Sequence, residues 1–397
     1  METPDLRGRL GELARLFFKL GVIGFGGPAA HIAMMDDEVV ERRGWLSRQH
    51  FLDLIGATNL VPGPNSTEMT MHVGYERARW PGLFVAGGSF IFPAALSTGI
   101  LAWLYVKYGA LPEVAPFLEG IKPAVLAVIL GALWKLGKKA VKSWILAVLG
   151  LAVGAALWLG LGELWALLAG GLIGMAVLAL WKERGARESA KGGGLLLATP
   201  QVSQVGRDTL AVAAGATGAA AGLSLWALGL FFLKVGAILY GSGYVLIAFL
   251  EGGLVRDYGW LTEQQLLDAI AIGQFTPGPV LTTATFIGYV LAGVPGAVVA
   301  TLGIFLPAFV FVGILNPIVP RLRDSKWTAA FLDAVNVSAV ALMAVVTLQL
   351  GTSVLTSPVA FVIFAVAAVL ALRFRVNAAW IVLGGAVAGW LGGIALG

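Results

Sequence analysis

Long apolar stretches separated by short polar turns dominate the chain. Runs such as 124–134, 144–161, 164–180 and 361–372 have no polar side, unlike a surface helix, which keeps one polar face. Continuous apolar runs of this kind predict membrane helices. A transmembrane β-barrel would alternate apolar and polar residues instead. The pattern therefore predicts an all-α polytopic membrane protein.

The same pattern occurs twice along the chain. Pro62-Gly63-Pro64 returns as Pro277-Gly278-Pro279, a shift of 215 positions that also carries Trp45 to Trp260. After the triplet the shift becomes 214, because the second copy lacks one residue. Internal duplication in an apolar chain is typical of secondary transporters, whose substrate site lies where the repeats meet.

Each half is predicted to contain six hydrophobic segments. In the first half they cover about 10–35, 49–74, 82–106, 114–135, 143–161 and 164–182. In the second half they cover about 225–250, 264–290, 295–318, 328–350, 357–373 and 377–396. This pattern predicts an N-terminal transmembrane repeat (1–185), a polar linker with an odd connecting helix (186–224), and a C-terminal transmembrane repeat (225–397).

Basic residues mark the cytoplasmic side of a membrane protein. They precede segment 1 and follow segments 2, 4 and 6 in the first half, but they follow segments 1, 3 and 5 in the second. The halves are therefore predicted to lie in inverted topology, with the N-terminus cytoplasmic and the C-terminus outside. About 13 transmembrane segments result, with 209–223 as the odd crossing. Arg42, Arg43 and Arg48 contradict this scheme, unless segment 1 or 2 is re-entrant.

Composition narrows the class of protein further. The chain is 58% hydrophobic and 12% charged, with 54 glycines and 13 tryptophans, which is typical of close-packed helices with aromatic anchors at the membrane interfaces. Zero cysteines exclude disulfides and thiolate metal sites, and with three histidines no metal or cofactor is expected. The net charge of +5 arises mostly in loops and indicates topology rather than a nucleic-acid partner. The polar, acid-containing N-terminus does not resemble a cleavable signal peptide.

Two helices in each half are predicted to be broken by glycine and proline, at 24–28, 61–64, 241–243 and 276–279. A helix start offers N–H groups and the positive end of the helix dipole, so matched breaks favour an anion site at mid-membrane. The alternative is that these residues only bend helices for packing. The predicted substrate-binding residues at the breaks are Gly26, Gly27, Pro28, His31, Pro62, Gly63, Pro64, Asn65, Ser66, Thr67, Gly241, Ser242, Gly243, Pro277, Gly278, Pro279, Thr282 and Thr283.

Ionisable residues inside predicted spans are candidates for function. Lys19 and Lys234 precede the breaks at matching positions, so they either offset the charge of an anion or extend to the interface. Glu68 and His72 lie one helical turn apart and either carry a coupling proton or form a structural pair. No catalytic residue is expected.

These motifs resemble the chromate ion transporter family, and the similarity covers essentially the full length. The residues that carry it are Phe25–Ile32, Trp45-Leu46, Leu60–Pro64, Val73-Gly74, Tyr240–Gly243, Trp260-Leu261 and Phe275–Pro279. The resemblance implies a long, two-domain member that exports chromate across the inner membrane and confers chromate resistance. It also implies a drive from membrane potential or proton exchange, with sulfate as competitor. Leu246 replaces His31 in the second half, so the halves are not expected to contribute equally.

Three alternatives stay open at this point. The cargo is chromate, sulfate or another oxyanion, and an uncoupled channel would use the same site. An intramembrane enzyme is disfavoured because cysteines, haem or flavin motifs and paired histidine ligands are missing from the sequence. The partners expected are the anion and the lipid bilayer, and the oligomeric state is open, a homodimer included.

Overall fold

The computed structural model describes residues 5–25, 27–58, 61–190, 224–240, 243–316 and 325–396. Within these residues the secondary structure is helical, with no β-strand, which confirms the predicted all-α class. Five described helices are long and apolar enough to cross a membrane, and shorter apolar helices accompany them. The predicted connecting helix, 209–223, lies outside the described residues.

The described residues of the first half form seven α-helices. They are α1 (Leu6–Ile23), α2 (Pro28–Met35), α3 (Arg48–Thr58), α4 (Asn65–Tyr108), α5 (Ala115–Ala140), α6 (Trp144–Trp158) and α7 (Glu163–Ala190). A π-helical turn, Asp36–Arg42, extends α2.

The second half repeats this order. Its helices are α8 (Leu225–Ile238), α9 (Leu246–Leu250), α10 (Glu263–Phe275), α11 (Thr283–Leu315), α12 (Lys326–Val354), α13 (Pro358–Leu372) and α14 (Ala378–Leu396). Short 3₁₀ turns, Gly243–Val245 and Val280–Thr282, precede α9 and α11. A π-helical turn, Glu251–Asp257, stands 215 positions after the first one, so the duplication extends to local backbone structure.

The first predicted segment folds back on itself. Gly21 near the end of α1 packs against the backbone of Phe90 in α4, while Glu12 near its start pairs with Arg77 at 2.8 Å. After the first break α2 returns toward the start of α1. Trp45, just beyond the π-helical turn, lies under the Arg77 guanidinium at 4.8 Å. Both ends of this hairpin therefore lie on one face of the molecule.

The second predicted segment folds back at the Pro-Gly-Pro break, because His50 at the start of α3 lies 3.5 Å from Glu76 of α4. Between the second and third predicted segments, at Arg79, the backbone leaves the helical conformation with φ of 53°, and α4 reverses direction there. The reversal divides α4 into a short arm (65–77) and a long arm (80–108). Gly74 and Gly82 face each other across the reversal, and neither position has room for a side chain. The short arm therefore returns to the face from which the long arm departs.

Helix α11 contains the same reversal. Gly293, with φ of 62°, holds the position that Arg79 holds in α4. Gly288 and Gly296 pack across it as the glycines of α4 do. The long arm of α11 is the part that follows Gly293.

In the first half, predicted segments 1 and 2 therefore do not run straight through the molecule. Each folds back on itself, because its glycine and proline break interrupts helical hydrogen bonding midway and the chain turns back. In the first half the long arm of α4 and helices α5, α6 and α7 run through the molecule. Arg43 also contacts Trp45, at 5.2 Å, so the arginines around this loop lie on the same face as the start of α1. The conflict with the charge rule at Arg42, Arg43 and Arg48 is thereby removed, whereas Arg256, which the rule also assigned to the cytoplasmic side, pairs with Glu163 beside the α6–α7 turn at the other end of the molecule.

We call this face the basic face. It carries Arg77 at the reversal of α4, and the chain returns to it through α5, so that Lys142 also lies there. Lys142 pairs with Asp333 near the start of α12 at 2.6 Å. Helix α13 ends on this face at the turn that contains Arg375. The turns between α4 and α5 and between α6 and α7 lie on the opposite face.

The long arms of α4 and α11 run antiparallel. Trp80, at the start of the first, packs on Gly313, near the end of the second. Four residues along, Phe84 stacks on Phe309 with ring centroids 5.5 Å apart. These equivalent helices of the two halves therefore point in opposite directions.

The remaining helices of each half pack mainly against helices of the other half, and we call them the exchanged helices. Helix α5 packs against α13 and α14, and its counterpart α12 packs against α6 and α7. Gly120 of α5 touches the backbone of Gly385 and Gly389 in α14, and Gly174 of α7 lies against Ala334 of α12. Small residues at such contacts let membrane helices approach closely. The halves therefore interlock rather than sit side by side.

Candidate functional site

The breaks of the two halves are joined by a reciprocal pair of backbone hydrogen bonds. The amide of Gly63 donates to the carbonyl of Leu239 at 2.7 Å, and the amide of Gly278 donates to the carbonyl of Gly24 at 2.8 Å. Gly63 and Gly278 are equivalent in the repeat, and so are Gly24 and Leu239. The glycine of each Pro-Gly-Pro break is therefore hydrogen-bonded to the backbone at or just before the glycine-rich break of the other half.

A cavity of about 360 Å³ leads from the basic face to these breaks, and we call it the basic-face cavity. At its inner end lie Gly27 and Pro28 of the first half and Thr276 and Gly278 of the second. Its walls come from α5, the end of α10 and the turn between α13 and α14. The site is thus built from both halves, as the duplication predicts for a transport site.

The basic-face cavity is cationic. Lys135 of α5 and Arg375 of the α13–α14 turn line it, and none of its described lining residues is acidic. Tyr244, Gln274 and Asn377 add polar side chains to the wall. Arg375 has φ of 54°, a left-handed conformation that costs a non-glycine residue about 1–2 kcal/mol. An arginine held in that conformation beside a cavity is typical of a functional position.

The start of α2 adds positive potential to the same space. Gly27 is the N-cap with φ of 78°, Pro28 occupies the first turn, and no side chain caps this helix end. Because the first turn carries N–H groups and the positive end of the helix dipole, it suits a negatively charged ligand. The positive end of the α2 dipole and the side chains of Lys135 and Arg375 therefore all favour the binding of an anion in this cavity.

His31 holds the first break together. Its Nε2 lies 2.8 Å from the carbonyl oxygen of Gly24, which also accepts from Gly278. The ring is buried and packs edge-on against Phe90 at 5.3 Å. His31 does not line the basic-face cavity, so the structure gives it a supporting position instead of the predicted contact with the solute.

The two predicted lysines lie away from the cavity. Lys19 pairs with Glu38 at 2.8 Å, and Arg42 and Arg43 approach the same carboxylate at 3.4 and 3.3 Å. Lys234 lies on the exposed side of α8. A lysine near a break is therefore not automatically near the solute, because α1 and α8 face outward at these positions.

The remaining predicted residues divide into three groups. Gly27, Pro28 and Gly278 line the basic-face cavity. Those described but not lining it are Lys19, His31, Pro62, Gly63, Pro64, Asn65, Ser66, Thr67, Lys234, Gly243, Pro277, Pro279, Thr282 and Thr283. Gly26, Gly241 and Ser242 lie outside the described residues.

Two of the predicted hydroxyl donors are used by the backbone. Thr282 Oγ1 donates to the carbonyl of Pro279 at 2.9 Å and Thr283 Oγ1 to that of Val280 at 2.8 Å. Thr282 also accepts from Thr98 of α4 at 3.2 Å, a contact between the halves. These hydroxyls stabilise the start of α11 rather than facing the basic-face cavity.

Glu68 is the most isolated ionisable group in the described core. It is fully buried beside Gly63, and neither carboxyl oxygen has a hydrogen-bond partner. His72, one turn further along the short arm of α4, is also fully buried and leaves Nε2 without a partner. An unpaired buried carboxyl is costly and is retained mostly for function.

Sequence reasoning missed the polar wall of the cavity. Lys135, Tyr244, Gln274, Arg375 and Asn377 were not among the predicted site residues. The two cations served only to assign topology, since basic residues at helix ends normally mark the cytoplasmic side. In the described residues no three His, Asp or Glu side chains are arranged to hold a metal ion.

The re-entrant hairpins, interlocked halves and central cavity define a polytopic membrane transporter. The family model described as Chromate transporter matches residues 11–175 and 226–390. The chain therefore belongs to the chromate transporter family, as the motifs predicted, and that family consists of transporters rather than enzymes.

Similar proteins cover almost the whole chain. A chromate transport protein of Cupriavidus metallidurans is 31% identical over 387 residues, which is 96% of this chain and 92% of that protein. A chromate transport protein of Pseudomonas aeruginosa is 32% identical over 392 residues, with the same coverage of 96% and 92%. A probable chromate transport protein of Synechococcus elongatus is 32% identical over 343 residues, 86% of this chain and 84% of that protein. No solved structure gives a significant match to this chain.

Proposed function

We propose that this protein exports chromate across the cytoplasmic membrane and that the anion binds in the basic-face cavity beside the central breaks. The observation that carries the proposal is the cavity itself, in which Lys135 and Arg375 stand near the uncapped start of α2 and no described lining residue is acidic. The names of the similar proteins support chromate as the cargo.

The polar groups suit a tetrahedral dianion. Chromate offers four acceptor oxygens and two negative charges, and the lysine and arginine balance that charge. Gln274 and Asn377 carry amide donors. The Tyr244 hydroxyl donates to Oε1 of Gln274 at 3.2 Å, which leaves the Gln274 amide nitrogen available to the anion, and the N–H of Ala29 at the start of α2 completes the set. Charge-assisted hydrogen bonds are the strong ones, and arginine matches the planar face of an oxyanion especially well.

The proposed orientation follows the basic residues. With the basic face in the cytoplasm, the N-terminus is inside, the C-terminus outside, and the basic-face cavity faces the cell interior of an inner-membrane protein. The antiparallel long arms of α4 and α11 support inverted repeats, 1–185 and 225–397, joined through residues 186–224. A dianion leaving an inside-negative cell gains about 2.3 kcal/mol per charge per 100 mV, so the potential favours export.

Glu68 and His72 are proposed to carry a coupling proton. Both are buried in the short arm of α4 directly after the first Pro-Gly-Pro, and both present unpartnered polar atoms. Their counterparts in the second half are Thr282 and Phe286, which do not ionise at neutral pH. Proton transfer would therefore belong to the first half alone, while the potential acts on the anion itself.

Chromate uptake into everted membrane vesicles tests the proposal. In such vesicles the basic face is turned outward, and an inside-positive potential drives an anion inward. We expect accumulation that follows the imposed potential and falls with excess sulfate, a dianion of similar shape. Vesicles with a Lys135→Gln, Arg375→Asn double variant are the matched control. Absence of uptake by folded protein would reject the cargo, and sulfate accumulation without chromate accumulation would reassign it.

A further inference from the structure

A second, smaller cavity of about 120 Å³ lies on the opposite face. It sits between the α6–α7 turn, the π-helical turn of the second half and α12. We call it the opposite-face cavity. Neither the anion site nor the coupling residues proposed above include any of its lining residues.

The repeat relates the two cavities residue by residue. Leu157 and Leu161 in the opposite-face cavity are the counterparts of Ala371 and Arg375 in the basic-face cavity, at a shift of 214. The same shift takes Val128, Gly131 and Ala132 of α5 to Leu342, Val345 and Val346 of α12. The opposite-face cavity is therefore the duplicate of the basic-face cavity in the other half, found here at about one third of the volume, 120 against 360 Å³.

An ion-pair cluster stands in the opposite-face cavity. Arg256, from the π-helical turn, pairs with Glu163 of α7 at 2.8 Å and with Glu251 at 2.7 Å. The Glu251 side chain is 3% exposed and that of Glu163 16%, so the two carboxylates are largely withdrawn from solvent, while the Arg256 side chain is 45% exposed. Asp257 also lines this cavity. Glu163 rests against Gly252, where any side chain would displace its carboxylate.

The basic-face cavity has no such cluster. The counterparts of Glu251, Arg256 and Glu163 are Asp36, Glu41 and Asn377. Asp36 and Glu41 both pair with Arg48 of α3, on their own side of the hairpin. Asn377 lines the open cavity and carries no charge. The ion pair that joins the π-helical turn to α7, Arg256 with Glu163, therefore has no counterpart in the other half.

We propose that the opposite-face cavity is the second access site for the same tetrahedral dianion. The pair of Arg256 with Glu163, in which Glu251 holds Arg256 in place from within the π-helical turn, keeps it closed while the basic-face cavity is open. The inference rests on the proposed function. Opening requires that the π-helical turn leave α7, which breaks the pair of Arg256 with Glu163 and carries Arg256 and Asp257 away together with the turn.

Single-cysteine labelling tests this arrangement, because the chain contains no native cysteine. Val345→Cys reports on the opposite-face cavity and Ala132→Cys on the basic-face cavity. In purified full-length protein we measure the rate at which a charged maleimide reacts at each position. Arg256→Gln and Glu163→Gln are expected to raise the rate at position 345 at least fivefold and to lower it at position 132.

Two controls separate the closure from a loss of structure. Arg256→Lys keeps the charge and is expected to restore rates near those of the parent. Lys142→Gln breaks an ion pair of the basic face, with Asp333, and is expected to leave position 345 unchanged. An unchanged rate at 345 in both Arg256→Gln and Glu163→Gln, with the unfolding temperature preserved, overturns the proposal. So does a rise at both labelled positions, which indicates loosening.

Chromate protection distinguishes this inference from the function on which it rests. Saturating chromate should slow labelling at Ala132→Cys in the protein with Arg256 intact. Protection there, with no response to the Arg256 and Glu163 variants, rejects the closure and keeps the anion site. No protection, with reciprocal changes at the two labelled positions, keeps the closure and rejects chromate as the ligand.

Discussion

Nδ1 of His72 lies 2.8 Å from Oδ1 of Asn316, a contact that joins the short arm of α4 to the end of α11. The amide nitrogen of Asn316 faces Oε1 of Glu76 at 3.4 Å. A carboxylate only accepts, so the amide turns its nitrogen to Glu76 and its oxygen to His72. His72 must then donate from Nδ1, and Nε2 of the neutral ring carries a lone pair. That lone pair and the buried carboxyl of Glu68 are one helical turn apart.

Replacing Glu68 with Gln is expected to remove the pH dependence of transport while the response to membrane potential remains. Gln keeps the shape of the side chain but cannot release a proton. The measurement is chromate uptake into everted vesicles between about pH 7.5 and 9, where the substrate stays a dianion, at a fixed imposed potential. Glu119→Gln, at an exposed carboxylate paired with Lys122 at 2.7 Å, is the control that should keep the parent profile. An unaltered pH profile in Glu68→Gln would return this residue to a structural role.

Removing one cation from the basic-face cavity should weaken chromate binding. Lys135→Gln or Arg375→Asn deletes a charged hydrogen-bond donor worth about 1.5–3 kcal/mol, which corresponds to a roughly ten- to hundredfold rise in KM. Asparagine is chosen at position 375 because it tolerates the left-handed backbone found there. Lys139→Gln, one turn further along the same helix at a position that does not line the cavity, should leave KM unchanged. Equal KM values in all three variants would move the anion elsewhere.

Alanine at either central glycine should abolish transport. Gly63 has φ of 146° and Gly278 has φ of 92°, and an added Cβ would meet Glu68 in the first case and Ala94 in the second. Backbone strain of about 1–3 kcal/mol would add to the clash and shift the reciprocal hydrogen bonds. Gly88→Ala is the control, since nothing lies within 4 Å of its added Cβ. Uptake close to that of the parent in Gly63→Ala and Gly278→Ala would contradict the role of the breaks.

At the reversal of α11, Gly293 should be needed for its left-handed backbone conformation and not for lack of space around a side chain. At Gly293, φ is 62° and nothing lies within 4 Å of an added Cβ. Gly293→Ala is therefore expected to destabilise the protein by about 1–3 kcal/mol through backbone strain. Gly99→Ala, also in open space but with an ordinary helical φ, should be neutral or slightly stabilising. Thermal unfolding in detergent measures both, and equal unfolding temperatures would show that the reversal relaxes without cost.

The breaks were predictable from sequence, whereas the folding back was not. Gly63 and Gly278 recur in register, and only local chemistry is needed to see that the helix stops there. A segment that folds back at its midpoint, however, contains as many apolar residues as a segment that crosses straight through. Hydropathy alone therefore does not distinguish the two arrangements. The arginines at 42, 43 and 48 carried the missing information, because they belong on the cytoplasmic side. Taken as decisive, they predict both hairpins of the first half.

The cations of the cavity were not predictable for a different reason. Lys135 and Arg375 sit at helix ends, where basic residues are common, and they are far apart in sequence. They meet because α5 packs against α13 and α14 of the other half, a tertiary exchange that leaves no periodic signature. Lys19 and Lys234 illustrate the converse. Their equal positions in the repeat suggested a shared role at the anion site or at the interface, and the structure places Lys19 in an ion pair with Glu38 and Lys234 on the exposed side of α8, neither of them in the lining of the cavity.

The depth of the basic-face cavity has an electrical consequence. Water and ions in an opening that reaches the breaks carry the potential of the cytoplasm inward, so the membrane field is concentrated across the closed remainder of the protein. A dianion entering from the cytoplasm then crosses little of the voltage before it binds. We expect its dissociation constant to be nearly insensitive to voltage. The conformational change that closes the basic-face cavity and opens the opposite-face cavity would instead move almost all of the charge through the membrane field, so its rate would depend on voltage.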